Sequence, residues 1–272
     1  MAEFEFQGKK VYYETYGDGE PILLLNGIMM TTKSWIPFIE NFSRSNRLIL
    51  ADFFDQGQSA ALNSPYDHGV QIGLIGALLD ELKLDKVNIC GISYGAEVGL
   101  GFAVKFPQKV RRLVLFNAAA RATPQLADIG NAWNEAAKAQ GGLAYYLATI
   151  PLTYSGGFYE KNKPWMDQRK EALVRYFGNA GVKERYIRLT NSSENYDLTG
   201  KLATLDMPVL IVSGEKDGLL PVWEQEALIK QIPNAHHVVL TDCGHASFYE
   251  KPFLFCSLTM CFVNTLQSEF AL

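Results

Sequence analysis

No apolar run in this chain reaches the roughly 18 to 20 residues that a membrane-crossing helix needs, so no span is expected. Cysteine is scarce: Cys90, Cys243, Cys256 and Cys261 are the only four in 272 residues. Their spacing fits no zinc pattern, and a chain this long buries a large core without disulfide staples. They read as reduced thiols of a cytoplasmic protein, with Cys90 acting as a small hydrophobe inside an apolar run. A basic stripe is also missing. The formal net charge is −4 and the pI about 5.6, which argues against nucleic acid as a partner. The opening Met1-Ala2-Glu3-Phe4-Glu5-Phe6 is acidic and amphipathic, without the basic and apolar regions of a secretory leader. Internal repeats and low-complexity tracts are absent.

What is present is alternation. Phe4 to Tyr16 alternates around Gly8 and predicts an antiparallel hairpin. Continuous apolar runs follow at Pro21 to Leu25, Arg47 to Phe53, Val87 to Ile92, Leu113 to Phe116, Val209 to Val212 and His237 to Leu240. Runs of this kind suit strands buried on both faces of a parallel sheet. Helical patterns separate them at Ile72 to Leu82, Ala96 to Phe106, Pro221 to Lys230 and Pro252 to Leu266. Residues 121–203 break the alternation. They are rich in aromatics on helix-like spacing and contain no strong strand. A bare loop of that length does not fit a compact domain. A helical cap inserted into a core of residues 1–120 and 204–272 is expected, the alternative being a continued βα alternation.

The chemistry concentrates at the ends of the apolar runs. Gly91-Ile92-Ser93-Tyr94-Gly95 is a G-x-S-x-G pentapeptide between a strand pattern and a helix pattern. A turn that tight excludes side chains at its flanking positions and lifts the serine hydroxyl into the open. A hydroxyl needs a base, and the base needs an orienting group. Of four histidines, His245 lies just past the last run, whereas His236 and His237 enter that run from the opposite end. His68 sits in a polar stretch and reads as a surface loop residue. Asp217 follows the Val209 run and completes the order Ser, acid, His. Glu215, Asp242 and Asp52 are its rivals, while the Leu113 run ends in Asn117 and offers no acid there. Two backbone N–H donors should face the developing oxyanion. Tyr94 supplies one, and Ile28 the other, with Met29 as its alternative.

Taken together, Leu23-Leu24-Leu25-Asn26-Gly27, Trp35, Asp52-Phe53-Phe54-Asp55-Gln56-Gly57-Gln58-Ser59, the Ser93 pentapeptide, Gly214-Glu215-Lys216-Asp217 and Gly244-His245 make the chain resemble the α/β-hydrolase superfamily. The resemblance implies a mostly parallel eight-stranded sheet flanked by helices. It implies a triad of Ser93, Asp217 and His245, an oxyanion hole of Ile28 and Tyr94, and no metal or organic cofactor. Most members have His-Gly where this chain has Asn26-Gly27. The Asn26-Gly27-Ile28-Met29-Met30-Thr31-Thr32 segment is similar to a branch that includes the acyltransferase building the hydroxyalkanoyl precursor of rhamnolipids.

The expected function is therefore hydrolysis of a carboxylic ester, lactone or thioester through an acyl-enzyme on Ser93. Acyl transfer to another acceptor, carbon–carbon bond hydrolysis and a non-catalytic ligand receptor on the same fold stay open. The partner would be a small, apolar acyl compound. Asn26, Met29, Trp35, Tyr154 and Phe158 are the expected pocket residues.

Overall fold

The computed structural model describes residues 2–265; Met1 and Leu266, which enter the expectations above, lie outside them. Eight strands form one sheet: β1 (Ala2–Phe6), β2 (Lys9–Tyr16), β3 (Glu20–Leu25), β4 (Asn46–Ala51), β5 (Val87–Ile92), β6 (Val110–Phe116), β7 (Val209–Gly214) and β8 (Ala235–Leu240). Their spatial order is β1-β2-β4-β3-β5-β6-β7-β8. The β1–β2 and β2–β4 pairs are antiparallel, and the others are parallel. Several strands start one to three residues earlier than the apolar runs, because flanking residues such as Asn46 and Val110 still pair in the ladder.

Period-two burial explains why these runs form a two-sided sheet. Leu23, Leu25, Ile89, Leu113, Leu115 and Ile211 pack on one face. Ile22, Leu24, Cys90, Val114, Phe116 and Val212 pack on the other. Each fully buried side chain of this size is worth about 1.5–3 kcal/mol. The first face is covered by α2 (His68–Glu81) and α3 (Tyr94–Lys105). The second is covered by a 3-10 turn at Thr32–Phe38, by α1 (Ile39–Ser43) and by the C-terminal helix α11 (Pro252–Asn264), whose Phe255 meets Trp35, Phe38, Phe42 and Phe116. The remaining core helices are α9 (Val222–Ile229) and the short α10 (Ser247–Glu250).

Between β6 and β7 run five helices, α4 (Pro124–Lys138), α5 (Leu143–Thr153), α6 (Gly156–Lys161), α7 (Lys163–Phe177) and α8 (Ala180–Ser192). Their expected aromatics build an interior of their own, in which Tyr145, Phe177 and Tyr186 lie ring against ring. Several polar ties fasten this insertion to the sheet domain. Arg188 pairs with the fully buried Asp55 at 2.7 Å. The Tyr94 hydroxyl meets Ser192 Oγ at 2.9 Å. Ser155 donates through its backbone N–H to Glu250 Oε1 at 2.7 Å and through its hydroxyl to Oε2 at 2.6 Å. Among the described residues, no helix is long and apolar enough to cross a membrane.

Strand order also locates the crevice. The chain turns from β3 to one side of the sheet (β4) and later returns to the other side (β5), so β3 and β5 are neighbours whose following loops diverge. In open parallel sheets, ligands bind beyond the carboxyl ends of the strands at such a point.

Candidate active site

Ser93 directly follows β5 and stands at the N-terminal cap of α3, with φ 53° and ψ −121°. A non-glycine residue in that region is strained, and surrounding structure must hold it there. Here the hold is close packing of backbone. A Cβ on Gly95 would lie 2.4 Å from the Leu25 carbonyl oxygen, and one on Gly91 would lie 2.5 Å from that of Gly95. Glycines at both positions let α3 start against the β3 loop. The Ser93 N–H is satisfied by Phe116 O at 2.9 Å.

His245 follows β8, and its Nδ1 lies 2.8 Å from Asp217 Oδ2. The other Asp217 oxygen accepts the backbone N–H groups of Leu219 and Leu220 at 2.8 and 2.9 Å. Both side chains are almost wholly buried, with 9% and 0% exposure. The rivals have other partners. Glu215 is exposed and accepts the Asp242 N–H. Asp52 is buried and holds the loops on either side of it, accepting from Thr32 N and Gln58 N at 2.7 and 2.8 Å.

Two cavities of about 100 Å³ each open beside Ser93, and Ser93, His245, Ile28, Trp133 and Leu219 line both. Ile28 belongs to a turn closed by Met30 N–H to Gly27 O at 3.1 Å. Tyr94 opens α3, where the first N–H groups have no intrahelical partner. Among the described residues, neither the Ile28 nor the Tyr94 backbone N–H has an acceptor.

The expected pocket is only partly assembled. Met29 and Tyr154 line the second cavity, but Asn26, Trp35 and Phe158 line neither. Trp35 is fully buried on the opposite side of the loop, and its indole N–H donates to Asn26 Oδ1 at 2.6 Å. Asn26 in turn donates to Ala51 O at 2.9 Å and to Gln56 Oε1 at 3.1 Å. Gln56 Nε2 reaches back to the carbonyls of Gly27 and Ile28 at 2.8 and 3.2 Å. The unusual Asn26 is thus a brace beneath the Ile28 turn and not a pocket wall. Phe158 stacks on Tyr154 from behind.

Two residues matter here beyond those singled out from the sequence. Asn117, at φ 51°, donates to the His245 carbonyl at 2.5 Å and accepts the Gly214 N–H at 3.1 Å, so one amide joins β6, β7 and the His245 loop. An asparagine in left-handed backbone immediately after an apolar strand is the only local signal for it. The second is Glu97, which lies one helical turn beyond Ser93 and lines the first cavity.

His68, expected on a surface loop, is instead buried at the start of α2. Its ring meets those of Tyr94 and Tyr196 edge-on, and its Nε2 lies 2.9 Å from Ser193 Oγ. Residues from the distant 193–196 segment close over it, which no local pattern reveals. Burial pushes the Glu97 carboxyl up to about 7 and the His68 imidazole down to about 4, so His68 brings no cation to neutralise Glu97.

The raised Glu97 value has a measurable consequence. Its protonated form is favoured by folding, so its contribution to stability is full below the unfolded value of 4.5 and is lost as pH rises through about 7. The melting temperature of the wild type relative to Glu97→Gln is expected to fall between about pH 5 and about pH 8. His68 is common to both proteins. Calorimetry across that range checks this, and a flat or rising difference would refute it.

Among the described residues, no three His, Cys, Asp or Glu side chains group as a metal site requires. What the arrangement offers is a hydroxyl on a strained turn, an imidazole and carboxylate pair, and two unsatisfied backbone donors around one cavity.

A sheet of this order, with a serine elbow after β5 and a His–Asp pair after β8 and β7, defines an enzyme of the α/β-hydrolase fold. The chain matches the family model of the alpha/beta hydrolase fold over residues 20–252, and it belongs to that family. An alpha/beta hydrolase enzyme from a Medee basin deep-sea metagenome library is similar at 43% identity, with 100% of both chains covered and a TM-score of 0.98. The 3-oxoadipate enol-lactonase 2 of Acinetobacter baylyi is 27% identical, covering 89% of each chain. The poly(3-hydroxyalkanoate) depolymerase of Ectopseudomonas oleovorans is 28% identical, covering 83% of this chain and 77% of its own.

Proposed function

We propose that the chain hydrolyses a carboxylic ester, lactone or thioester of a small, largely apolar acyl compound through an acyl-enzyme on Ser93. The observation that carries this reading is the pairing of His245 Nδ1 with Asp217 Oδ2 at 2.8 Å beside the cavity that holds Ser93. Bound there, Asp217 keeps the proton on Nδ1 and leaves Nε2 free to accept one. Nε2 takes the Ser93 proton as Oγ attacks the carbonyl carbon. The Ile28 and Tyr94 N–H groups receive the oxyanion. His245 then returns the proton to the leaving alkoxide or thiolate, and in the second half-reaction activates water to release the acid. The relatives named for an enol-lactone and a polyhydroxyalkanoate support an acyl–oxygen bond as the target.

A panel of 4-nitrophenyl esters, lactones, acyl thioesters and a vinylogous diketone, run alongside a fluorophosphonate probe, tests the proposal. Turnover of an ester, lactone or thioester with single-site labelling at Ser93 is expected. Turnover of the diketone alone would move the reaction to carbon–carbon cleavage. No turnover, with no labelling, would overturn the assignment as an enzyme acting through Ser93.

A further inference from the structure

The second cavity contains a cation that nothing in the mechanism uses. Its walls near Ser93 are apolar, with Met29, Met30, Ile150 and Phe248 among them, and Arg169 of α7 is the one positively charged side chain among its lining residues other than the titratable His245. The Arg169 guanidinium lies over the Trp165 ring at 5.0 Å and over the Tyr249 ring at 4.6 Å. Those two rings also meet each other edge-on at 6.0 Å, so the cation is held in an aromatic corner.

Its hydrogen bonding is what sets it apart. Arg169 Nε is buried and has no hydrogen-bond partner. Among the described residues, no carboxylate lies within 4.0 Å of the guanidinium, and no acceptor is found for any of its nitrogens. Arg188, on the neighbouring helix, shows the usual solution for a half-buried arginine, with both Nε and Nη2 on the buried Asp55 carboxylate. Aromatic faces stabilise a guanidinium without satisfying its in-plane donors. A guanidinium also keeps its proton however it is desolvated. The wall of the cavity therefore carries a permanent charge, partly stripped of water, with a fork of donors still to be filled. The group that fits such a fork is a carboxylate, which takes two parallel charge-assisted hydrogen bonds.

We propose that Arg169 is the specificity-determining contact of this site, binding a carboxylate that the substrate carries at the end of a short apolar segment away from the scissile carbonyl. The natural substrate class is then an acidic ester or lactone, such as a half-ester of a dicarboxylic acid. This rests on the reading of Ser93 as an acyl-transferring nucleophile, which it deepens by naming the far end of the substrate. It also orients the substrate: the carboxylate is drawn toward α7 and the α10 end of the cavity, leaving the first cavity, with Glu97, for the opposite end.

The test compares mono-4-nitrophenyl esters of succinate, glutarate and adipate with neutral 4-nitrophenyl esters of matched chain length, on wild type, Arg169→Met and Arg169→Lys. A charged hydrogen-bonded pair translates into a preference of about 10- to 100-fold in kcat/KM for the best half-ester. Arg169→Met should abolish that preference by lowering kcat/KM on the half-ester alone, leaving the neutral ester within about threefold. Arg169→Lys should restore part of it. Raising ionic strength should erode the wild-type preference and leave the variant indifferent. Wild type showing no preference at any chain length would overturn the proposal, as would an Arg169→Met loss shared equally by both ester types. If neither ester type is turned over, the reading of Ser93 fails separately. Calorimetric binding of glutarate then decides the matter: binding lost in Arg169→Met supports the carboxylate site, and equal or absent binding in both proteins rejects it.

Discussion

Ser93→Ala is expected to lower ester kcat by about 10⁵- to 10⁶-fold, leaving only the residual catalysis of binding and oxyanion stabilisation. Fluorophosphonate labelling should vanish with it. The fold should not change. The Ser93 side chain caps no backbone group of α3, and its backbone N–H is held by Phe116 O, a bond that alanine keeps. Alanine meets the same strain at φ 53° as serine does, so the melting temperature should stay within a degree or two. The measurement is single-turnover kinetics with intact-protein mass spectrometry. Retention of more than a few per cent of activity, or a label elsewhere on the chain, would remove Ser93 from the role.

Asp217→Asn should cost about 10⁴-fold in kcat with little change in KM, for a reason particular to this site. One Asp217 oxygen is committed to the Leu219 and Leu220 N–H groups. An asparagine here must turn its carbonyl oxygen toward those two donors. Its NH₂ group then faces His245 Nδ1, which becomes the acceptor. The imidazole proton is forced onto Nε2, the nitrogen that takes the Ser93 proton in the proposed reaction, so the proposed base is present but in the wrong tautomer. Nitrogen-15 NMR of the labelled imidazole reads the tautomer directly, alongside the rate. A loss smaller than about tenfold would show that another carboxylate orients His245. Glu215 is the carboxylate nearest to Asp217 in sequence, and its bond to the Asp242 N–H would have to break first.

Much of the fold was legible because its signals are local. Continuous apolar runs such as Val87–Ile92 mark strands buried on both faces, and the glycines around Ser93 mark a turn that admits no Cβ. Residues 121–203 read as helical from aromatic spacing and from the want of strands, and five helices fill 124–192 of that stretch. The site was less legible wherever a side chain's partner lies far along the chain. Trp35 reads as a pocket aromatic until Asn26 and Phe255 are seen to enclose it. Asn26 reads as a substrate contact until Gln56, 30 residues away, takes its amide. His68 reads as a loop residue until Ser193, 125 residues away, caps it. Even strand order, which makes β3 and β5 neighbours and brings Ile28 beside Ser93, is a property of the whole sheet and of no single motif.

The junction between the helical insertion and the His245 loop bears on how this scaffold can be recombined. The Ala246 N–H donates to Thr153 O at 2.7 Å, Ser155 is gripped by Glu250, and a Cβ on Gly244 would lie 2.5 Å from the Ser155 nitrogen. The turn bearing the histidine is thus moulded against the corner between α5 and α6. A chimaera that imports a foreign helical segment between β6 and β7 would inherit its pocket but lose the mould for this turn. The smallest cassette that can be exchanged between relatives without disturbing the histidine is therefore discontinuous: the inserted helices together with residues 244–250.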